Sequence, residues 1–448
     1  MQNKFEKIQS AKILRKAAVI LFWLAIWQLL AMLVDNEIML VTPGQALVAL
    51  IGLLGKITFW QTVGMSLCRI ALGFLLGMVV ALVLAGLSSR YSLVEELVEP
   101  IMTLCKAVPV AVFVVLLLIW WGSSFLAVAI CFLIVLPNIY ISTLEGLKNT
   151  DKKLLEMAKV FDLPARTSFF YIYCPALKPF LSSSLKMSLG MCWKSGVAAE
   201  VIGTPAFSIG EQLYMSKIYL DTAGVFAWAA VIILLSVGFE RLILQLAEMF
   251  WAWEPLCKGT VGITAGSKPA AGDTAKKQSL CVEDLCKSYG DLEVLKDLNA
   301  VYEAGETYYL TSPSGSGKTT LLRMLCGLES ADSGKISSNL RYSVVFQEDR
   351  LCEDYSALRN VEMVMGSREG AEEALKQLLP EEALHKPCRQ LSGGQKRRVA
   401  LVRAMESDSD CVLLDEPFTG MDADTKARAE QYIKEQQRGR ALIIATHI

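Results

Sequence analysis

The sequence predicts an α-helical transmembrane domain of about six spans, followed by an α/β domain organised around a phosphate-binding loop. Three observations carry that expectation. Through Phe250 the 448-residue chain repeats apolar runs of membrane-spanning length. After about Gly259, short β-rich runs alternate with helix-forming ones. One of those junctions is the glycine- and serine-rich run Ser312–Thr319. Hydrophobic residues make up 53% and charged residues 20%, which excludes a disordered chain and argues against an ordinary soluble enzyme. A net charge of −1 provides no basic field for nucleic acid. The 12 cysteines include no CxxC pair and there are 2 histidines, so neither a zinc centre nor a redox pair is expected.

The candidate spans lie at about 17–34, 67–88, 107–122, 124–144, 181–203 and 223–247. Trp23, Trp27 and Gln28 interrupt the first, which reads as a retained helix rather than a cleaved signal. Basic residues alternate across the connections. The N-terminal tail holds Lys4, Lys7, Lys12, Arg15 and Lys16, whereas 35–66 holds only Lys56 and 204–222 only Lys217. Arg90 and Lys106 flank the second and third spans, and Lys148, Lys152, Lys153, Lys159, Arg166 and Lys178 follow the fourth. The side with more lysine and arginine is cytoplasmic, so six spans place both ends, and the α/β domain, in the cytoplasm. Trp120, Trp121, Trp251 and Trp253 suit membrane interfaces, and membrane lipid is an expected partner. Residues 256–279 are rich in Gly, Ala, Ser, Thr and Lys and read as a tether between domains at 1–255 and 280–448.

Within the second domain, a β-rich run at Tyr308–Thr311 enters the loop, and the helix-forming run Lys318–Leu322 leaves it. Ser314, Gly315, Ser316 and Gly317 let the backbone wrap a phosphate, and Lys318 reaches the β- and γ-phosphates. The Thr319 hydroxyl, next to Thr320, is a ligand for Mg²⁺. Ser312 stands where the phosphate-loop pattern begins with glycine; it would strain the backbone by about 1–3 kcal/mol if the turn needs a glycine-only conformation. The apolar run Cys411–Leu414 ends in Asp415, a second Mg²⁺ ligand, and Glu416, a general base. Gln347 ends another β-rich run as a neutral ligand for metal or water, and His447 ends a third as a hydrogen-bond donor to the γ-phosphate. Leu391-Ser392-Gly393-Gly394-Gln395 opens a helix expected over Lys396–Met405.

The LSGGQ run, set among these pieces in this order, resembles the ATPase domain of ABC transporters across 280–448. The resemblance implies an ABC-type ATPase that binds ATP with Mg²⁺, with Tyr289 stacked on adenine. It also implies that Ser392, Gly393, Gly394 and Gln395 close on ATP held by a partner subunit. Only Asp422 is retained of the usual Ser-Ala-Leu-Asp loop; Lys318 and Gln347 are 29 residues apart, short for the family, and the domain reads as short at its C-terminus.

A second resemblance lies in the first domain. Glu156, Ala158, Ile172 and Pro175 match the EAA coupling loop of ABC importer permeases within 150–176, while Met157, Asp162 and Cys174 depart from it. Asp162 stands in place of the glycine of the bend and tolerates a left-handed turn. Ser66–Phe74, Val108–Ala111, Trp120–Gly122 and Leu189–Trp193 resemble the permeases of the nitrate, sulfonate and taurine group, which also includes carriers of thiamine-precursor pyrimidines. The implied protein is an ATP-driven importer of a small solute in a prokaryotic cell membrane, working as a homodimer with a separate extracytoplasmic binding protein. Lys186, Lys194 and Glu200 should face protein or water, and Lys194 would line a path for an anion. Two alternatives stand beside it. An exporter half-transporter predicts helices running far into the cytoplasm and has no place for the EAA-like loop; a non-transporting membrane ATPase predicts ATP binding without turnover.

Overall fold

The computed structural model describes residues 2–252, 279–313, 315–337 and 339–446. It divides into two compact units, Met1–Lys148 with Leu177–Trp253, and Asn149–Ala176 with Glu254–Ile448. The EAA-like segment, which the sequence counts with the first domain, therefore belongs with the second unit. The linker 256–278, Trp253, Ser314 and His447 lie outside the described residues.

The first unit is helical: α1 (Gln2–Val34), α2 (Pro43–Leu54), α3 (Ile57–Arg90), α4 (Ser92–Ala107), α5 (Val110–Trp121) and α6 (Leu126–Lys148). Helices α7 (Lys152–Val160) and α8 (Ala165–Ser168) belong to the second unit; α9 (Cys174–Gly203), α10 (Ile209–Ile218) and α11 (Thr222–Ala252) follow. The start of α2 is specified locally: Thr42 and Gln45 form a reciprocal cap, and Pro43 occupies the first turn, where its missing N–H is not needed. Gly73 and Gly77 let α3 lie directly on α6. A Cβ at Gly73 would stand 2.4 Å from the Val128 carbonyl oxygen, and one at Gly77 would stand 3.0 Å from Val135 Cβ. Around this seam Ile70, Phe74, Ile139, Leu189 and Trp193 are buried, whereas Trp23, Leu33, Trp120 and Trp121 are exposed. Apolar side chains outside and a packed seam inside suit a lipid solvent.

Six spans are expected; among the described residues four helices are long and apolar enough to cross a membrane: Ala17–Val34, Ile57–Arg90, Leu126–Lys148 and Thr222–Trp251. A fifth span requires α4 and α5 together, which are bent by 104°. The run at 107–122 is cut by Val108-Pro109, where proline forces its neighbour out of helical geometry. The 12 residues of α5 alone would reach about 18 Å, short of the roughly 30 Å hydrocarbon layer. The run at 181–203 sits inside the 30-residue α9, which is long enough, but Lys186, Lys194 and Glu200 dilute it.

The second unit contains two sheets. Strands β1 (Leu280–Tyr289), β2 (Leu292–Tyr302) and β4 (Ser333–Ser337) form an antiparallel sheet, with β3 (Thr307–Thr311) and α12 (Lys318–Leu325) between β2 and β4 in the chain. The parallel sheet has the order β3-β7-β6-β5, where β5 is Tyr342–Val345, β6 Cys411–Asp415 and β7 Ala441–Thr446. Every residue of β6 is buried, as expected for a parallel strand covered on both faces. Helices α13 (Ala357–Met365), α14 (Arg368–Lys376), α15 (Glu381–Leu384), α16 (Gly393–Glu406) and α17 (Ala423–Gln436) complete the unit. Because the four strands are parallel, their carboxyl ends share one edge, where α/β sheets bind ligands.

Candidate functional site

Four chain segments converge at that edge: the loop after β3, Gln347 after β5, Asp415 and Glu416 at the end of β6, and Thr446 at the end of β7. Gly317 caps α12 with φ +86°, and a Cβ there would stand 2.7 Å from Val294 Cγ1, so conformation and space both require glycine. Gly315 also has positive φ, at +83°. Ser312 is not among the residues of positive φ, so the strain expected of a serine there does not arise. Its hydroxyl instead pairs with that of Ser316 at 2.6 Å. The Lys318 ammonium donates to the carbonyls of Ser312 and Pro313, keeping the cation at the mouth of the loop.

Thr319 Oγ1 donates to Asp415 Oδ2 at 2.8 Å. Thr319, Gln347 and Asp415 line one cleft of about 250 Å³ with Arg323, Arg350 and Lys153. Burial pushes the Asp415 carboxyl above its ordinary value, against the Thr319 hydrogen bond, which pulls it down. A buried carboxylate, a hydroxyl and an amide oxygen facing one cleft are the hard oxygen donors that Mg²⁺ prefers. No cluster of three or more His, Cys, Asp or Glu suited to a metal occurs among the described residues.

Glu416 is held in an uncommon conformation, with φ +49°, a state that costs on the order of 1–3 kcal/mol for a non-glycine residue. Its N–H donates to Ala445 O at 2.9 Å, while the Thr419 hydroxyl donates to its carbonyl at 3.1 Å. Tyr289 ends β1 with its ring half-exposed; its hydroxyl donates to Glu329, and Lys287 Nζ lies 5.4 Å from the ring centre. Hydrogen bonding to Glu329 raises the Tyr289 hydroxyl's pKa.

The LSGGQ run begins its helix earlier than expected, at Gly393 rather than Lys396. The reason is local: Ser392 Oγ accepts from the Gln395 N–H while Gln395 Oε1 accepts from the Ser392 N–H. Gly394 requires glycine, since a Cβ would stand 2.6 Å from Gly420 O. Ser392 and Gly393 are exposed, and residues 392–395 are absent from the lining of the Thr319–Asp415 cleft. Sequence reasoning missed Arg397, buried behind this run, whose guanidinium reaches the ends of two strands.

Residues 149–176 pack on the same unit. Met157, Ala158, Tyr171 and Ile172 are buried in one apolar cluster with Leu285, Leu321 and Leu325. The bend at Asp162 has φ +47°, the left-handed turn anticipated there. Glu156 accepts a two-point pair from Arg323, at 3.1 Å on each oxygen, and a 2.7 Å bond from Arg350. The hydrogen bonds from Arg323 hold its carboxyl below the ordinary range. Tyr355 hydroxyl donates to Phe170 O at 2.9 Å, Lys159 Nζ donates to Gly327 O at 3.1 Å, and Arg403 lies over the Phe161 ring.

In the first unit, Glu200 is fully buried. It accepts from Ser66 Oγ at 2.7 Å and from the Gly210 N–H at 3.4 Å, and faces Arg69 Nη1 at 3.7 Å. Lys186 and Lys194 are exposed, and Lys194 has no ion-pair partner among the described residues.

Residues 295–419 match the ABC transporter family, and residues 73–247 match the family described as binding-protein-dependent transport system inner membrane component. Among curated relatives, the Fe(3+) ions import ATP-binding protein FbpC of Agrobacterium fabrum is 37% identical over 39% of this chain and 55% of its own length. An aliphatic sulfonates import ATP-binding protein, SsuB 2 of Pseudomonas syringae pv. syringae, is 35% identical over 40% of this chain and 67% of its own. SsuB 1 of Streptomyces avermitilis is 35% identical over 41% of this chain and 72% of its own. The chain thus spans little more than half the length of the first.

Proposed function

Because the chain belongs to the ABC transporter family and joins a permease part to an ATPase part in one polypeptide, we propose that it imports a small solute driven by ATP. A single observation carries this reading: the 149–176 loop is seated on the ATP-binding unit through Glu156, Arg323 and Arg350. A loop seated on the cassette in this way carries ATP-driven movement towards the spans, as import requires. Two copies of the chain supply two permeases and two ATP sites, since the exposed Ser392 and Gly393 need a second chain to close upon. The assembly sits in a prokaryotic cell membrane with the ATPase in the cytoplasm, and a separate extracytoplasmic binding protein delivers the solute. Relatives named for sulfonates and iron bracket the solute class, and a nitrate-, sulfonate-, taurine- or thiamine-precursor-like molecule fits the permease resemblance. Lys194, exposed and with no ion-pair partner among the described residues, favours an anion.

In this reading Ser314, Gly315, Ser316, Gly317 and Thr320 cradle the phosphates, Tyr289 stacks on adenine, and Lys318 turns from the Ser312 and Pro313 carbonyls onto the β- and γ-phosphates. Thr319, Gln347 and Asp415 hold Mg²⁺, which when bound offsets charge on the phosphate oxygens. Glu416 accepts a proton from water as the water oxygen bonds to the γ-phosphorus. The bond to the β–γ bridging oxygen breaks and its electron pair leaves with ADP. Gln347 orients that water and His447 donates to the γ-phosphate; Ser392, Gly393, Gly394 and Gln395 close on the partner's ATP. The test is Mg²⁺-dependent ATP hydrolysis by the full chain in lipid nanodiscs beside Glu416→Gln. Loss on the order of 10²–10⁴-fold in the variant, with ATP binding kept, is the expected result; equal rates would exclude this base. Unchanged anion uptake by a folded Lys194→Met variant would remove the anion assignment.

A further inference from the structure

Arg397 lies one turn into α16 and its side chain is 3% exposed. Each of its nitrogens is engaged. Nε donates to Glu416 O at 3.2 Å; Nη2 donates to Glu416 O at 2.7 Å and to Asp415 O at 2.6 Å. Nη1 donates to Phe346 O and, at 3.1 Å, to Asp349 Oδ1. One rigid fork therefore fastens three pieces: the helix that opens with Ser392-Gly393-Gly394, the turn that carries Glu416, and the turn around Gln347. The fork also bonds the carbonyl of the residue with φ +49°, so α16 shares in holding this conformation with the Thr419 hydroxyl and Ala445 O. The close approach of Gly394 to Gly420 O joins the same helix start to the loop after Glu416.

We propose that Arg397 is the positioning residue that carries closure of the Ser392–Gly394 run to the hydrolytic base. This rests on the ATPase reading above, in which the two features serve different nucleotides. Ser392–Gly394 touch ATP on the partner, while Glu416 acts on ATP in its own chain, so Arg397 links one site to the other. Lysine cannot substitute, because one ammonium cannot span the carbonyls of Phe346, Asp415 and Glu416 together with the Asp349 carboxylate. Arg397→Lys keeps the charge and most of the volume; Arg397→Met keeps only the volume.

The experiment compares wild type, Glu416→Gln, Arg397→Lys and Arg397→Met as full chains in nanodiscs. ATP binding, steady-state hydrolysis, and hydrogen exchange at 346–350 and 415–420 with and without ATP are measured for each. Arg397→Lys should bind ATP within about twofold of wild type while kcat falls on the order of 10- to 100-fold, the consequence of a misplaced base. Its Hill coefficient should fall from about 2 toward 1, because the sites no longer communicate. ATP-induced protection should appear at both segments together in wild type and be uncoupled in the variant. A raised KM with unchanged kcat and Hill coefficient would overturn the inference, since Arg397 would then only support the nucleotide pocket. If wild type hydrolyses no more ATP than Glu416→Gln, the ATPase reading itself fails. The exchange data then test the linkage of α16 to the two turns by itself: uncoupled protection in Arg397→Lys supports that linkage without a hydrolytic role, and wild-type protection overturns it. Should Arg397→Met not fold, Arg397→Lys alone carries the comparison.

Discussion

Glu156 and Glu200 are the same side chain placed in two kinds of surroundings. Glu156 lies on the 149–176 loop, about one-third exposed, and is met by two guanidinium groups. Glu200 has no exposure and sits among helices, with a hydroxyl, a backbone N–H and one more distant arginine. At the solvated site, strong paired charge does the holding and water supplies the rest. At the buried site, charge alone would be insufficient, so the carboxylate is absorbed into backbone capping. Ser66 donates to Glu200 while accepting from the Ile209 N–H at 2.9 Å, and Glu200 accepts from Gly210, so the first donors of α10 are satisfied from α3 and α9. The difference separates a contact that can be released from one that cannot be removed without exposing orphaned groups.

The comparison breaks most easily at the buried site. Glu200→Ala leaves the buried Ser66 hydroxyl and Gly210 N–H without their acceptor, while Arg69 keeps its bonds to Ala206 O and Phe207 O; each orphaned donor costs about 1–3 kcal/mol. It should lower the thermal midpoint of the detergent-solubilised chain more than any variant at Glu156. Glu200→Gln, which keeps an acceptor oxygen, should fall between wild type and alanine. If Glu200→Ala and Glu156→Ala melt together, the distinction drawn from burial is wrong. Next in size is charge reversal at the loop. Glu156→Arg sets a third cation beside Arg323 and Arg350, a juxtaposition that costs several kcal/mol. Solute uptake should fall at least about tenfold with ATP binding kept, and Arg350→Glu in the same chain should recover part of it. Failure of the double variant to recover anything would mean that Glu156 acts by shape rather than charge.

How legible these sites were depends on whether a backbone demand is written into residue type. Gly317, Gly394 and the Ser392–Gln395 cap announce themselves because only those residues meet a left-handed turn, a close approach or a helix start. Asp162 was legible for the same reason. Arg397 was not, because an arginine following a helix start resembles any solvated basic residue, and its acceptors are carbonyls with no side-chain signature. The strain expected at Ser312 failed because the pattern's glycine is not needed for its φ there. The span count reads differently where apolarity and length part company: α5 is apolar but short, and α9 is long but carries charge. The seating of 149–176 could be anticipated through the family resemblance, yet its pairing with Arg323 and Arg350 could not, since neither arginine belongs to a motif.

A finer test concerns pH. The folded carboxyl of Glu156 is held below its ordinary value of 4.5 by Arg323. A depressed carboxylate contributes stability that is fully present above the unfolded value and is lost as pH falls through the folded one. The stability gap between wild type and Glu156→Gln should therefore stay constant from neutral pH to about pH 5 and close only below 4.5. A gap that closes between pH 7 and pH 6 would mean that a different group holds the loop.

The smallest effect is expected from the pair beside it. Lys153 Nζ lies 2.6 Å from Glu348 Oε2, joining the loop to the residue after Gln347, but the two side chains are 55% and 60% exposed. Exposed pairs in water return about 0.2–1 kcal/mol in double-mutant cycles, because solvent screens them and two flexible side chains must be ordered. Lys153→Ala, Glu348→Ala and the double variant should therefore differ little in thermal midpoint and uptake, with coupling inside that range. A larger coupling would mean that Lys153 and Glu348 belong to the same cooperative network as Glu156. The short distance alone cannot decide this, since exposure and not separation sets what an ion pair contributes. The measured coupling would thus show whether the loop is held at one charged point or along a line of them.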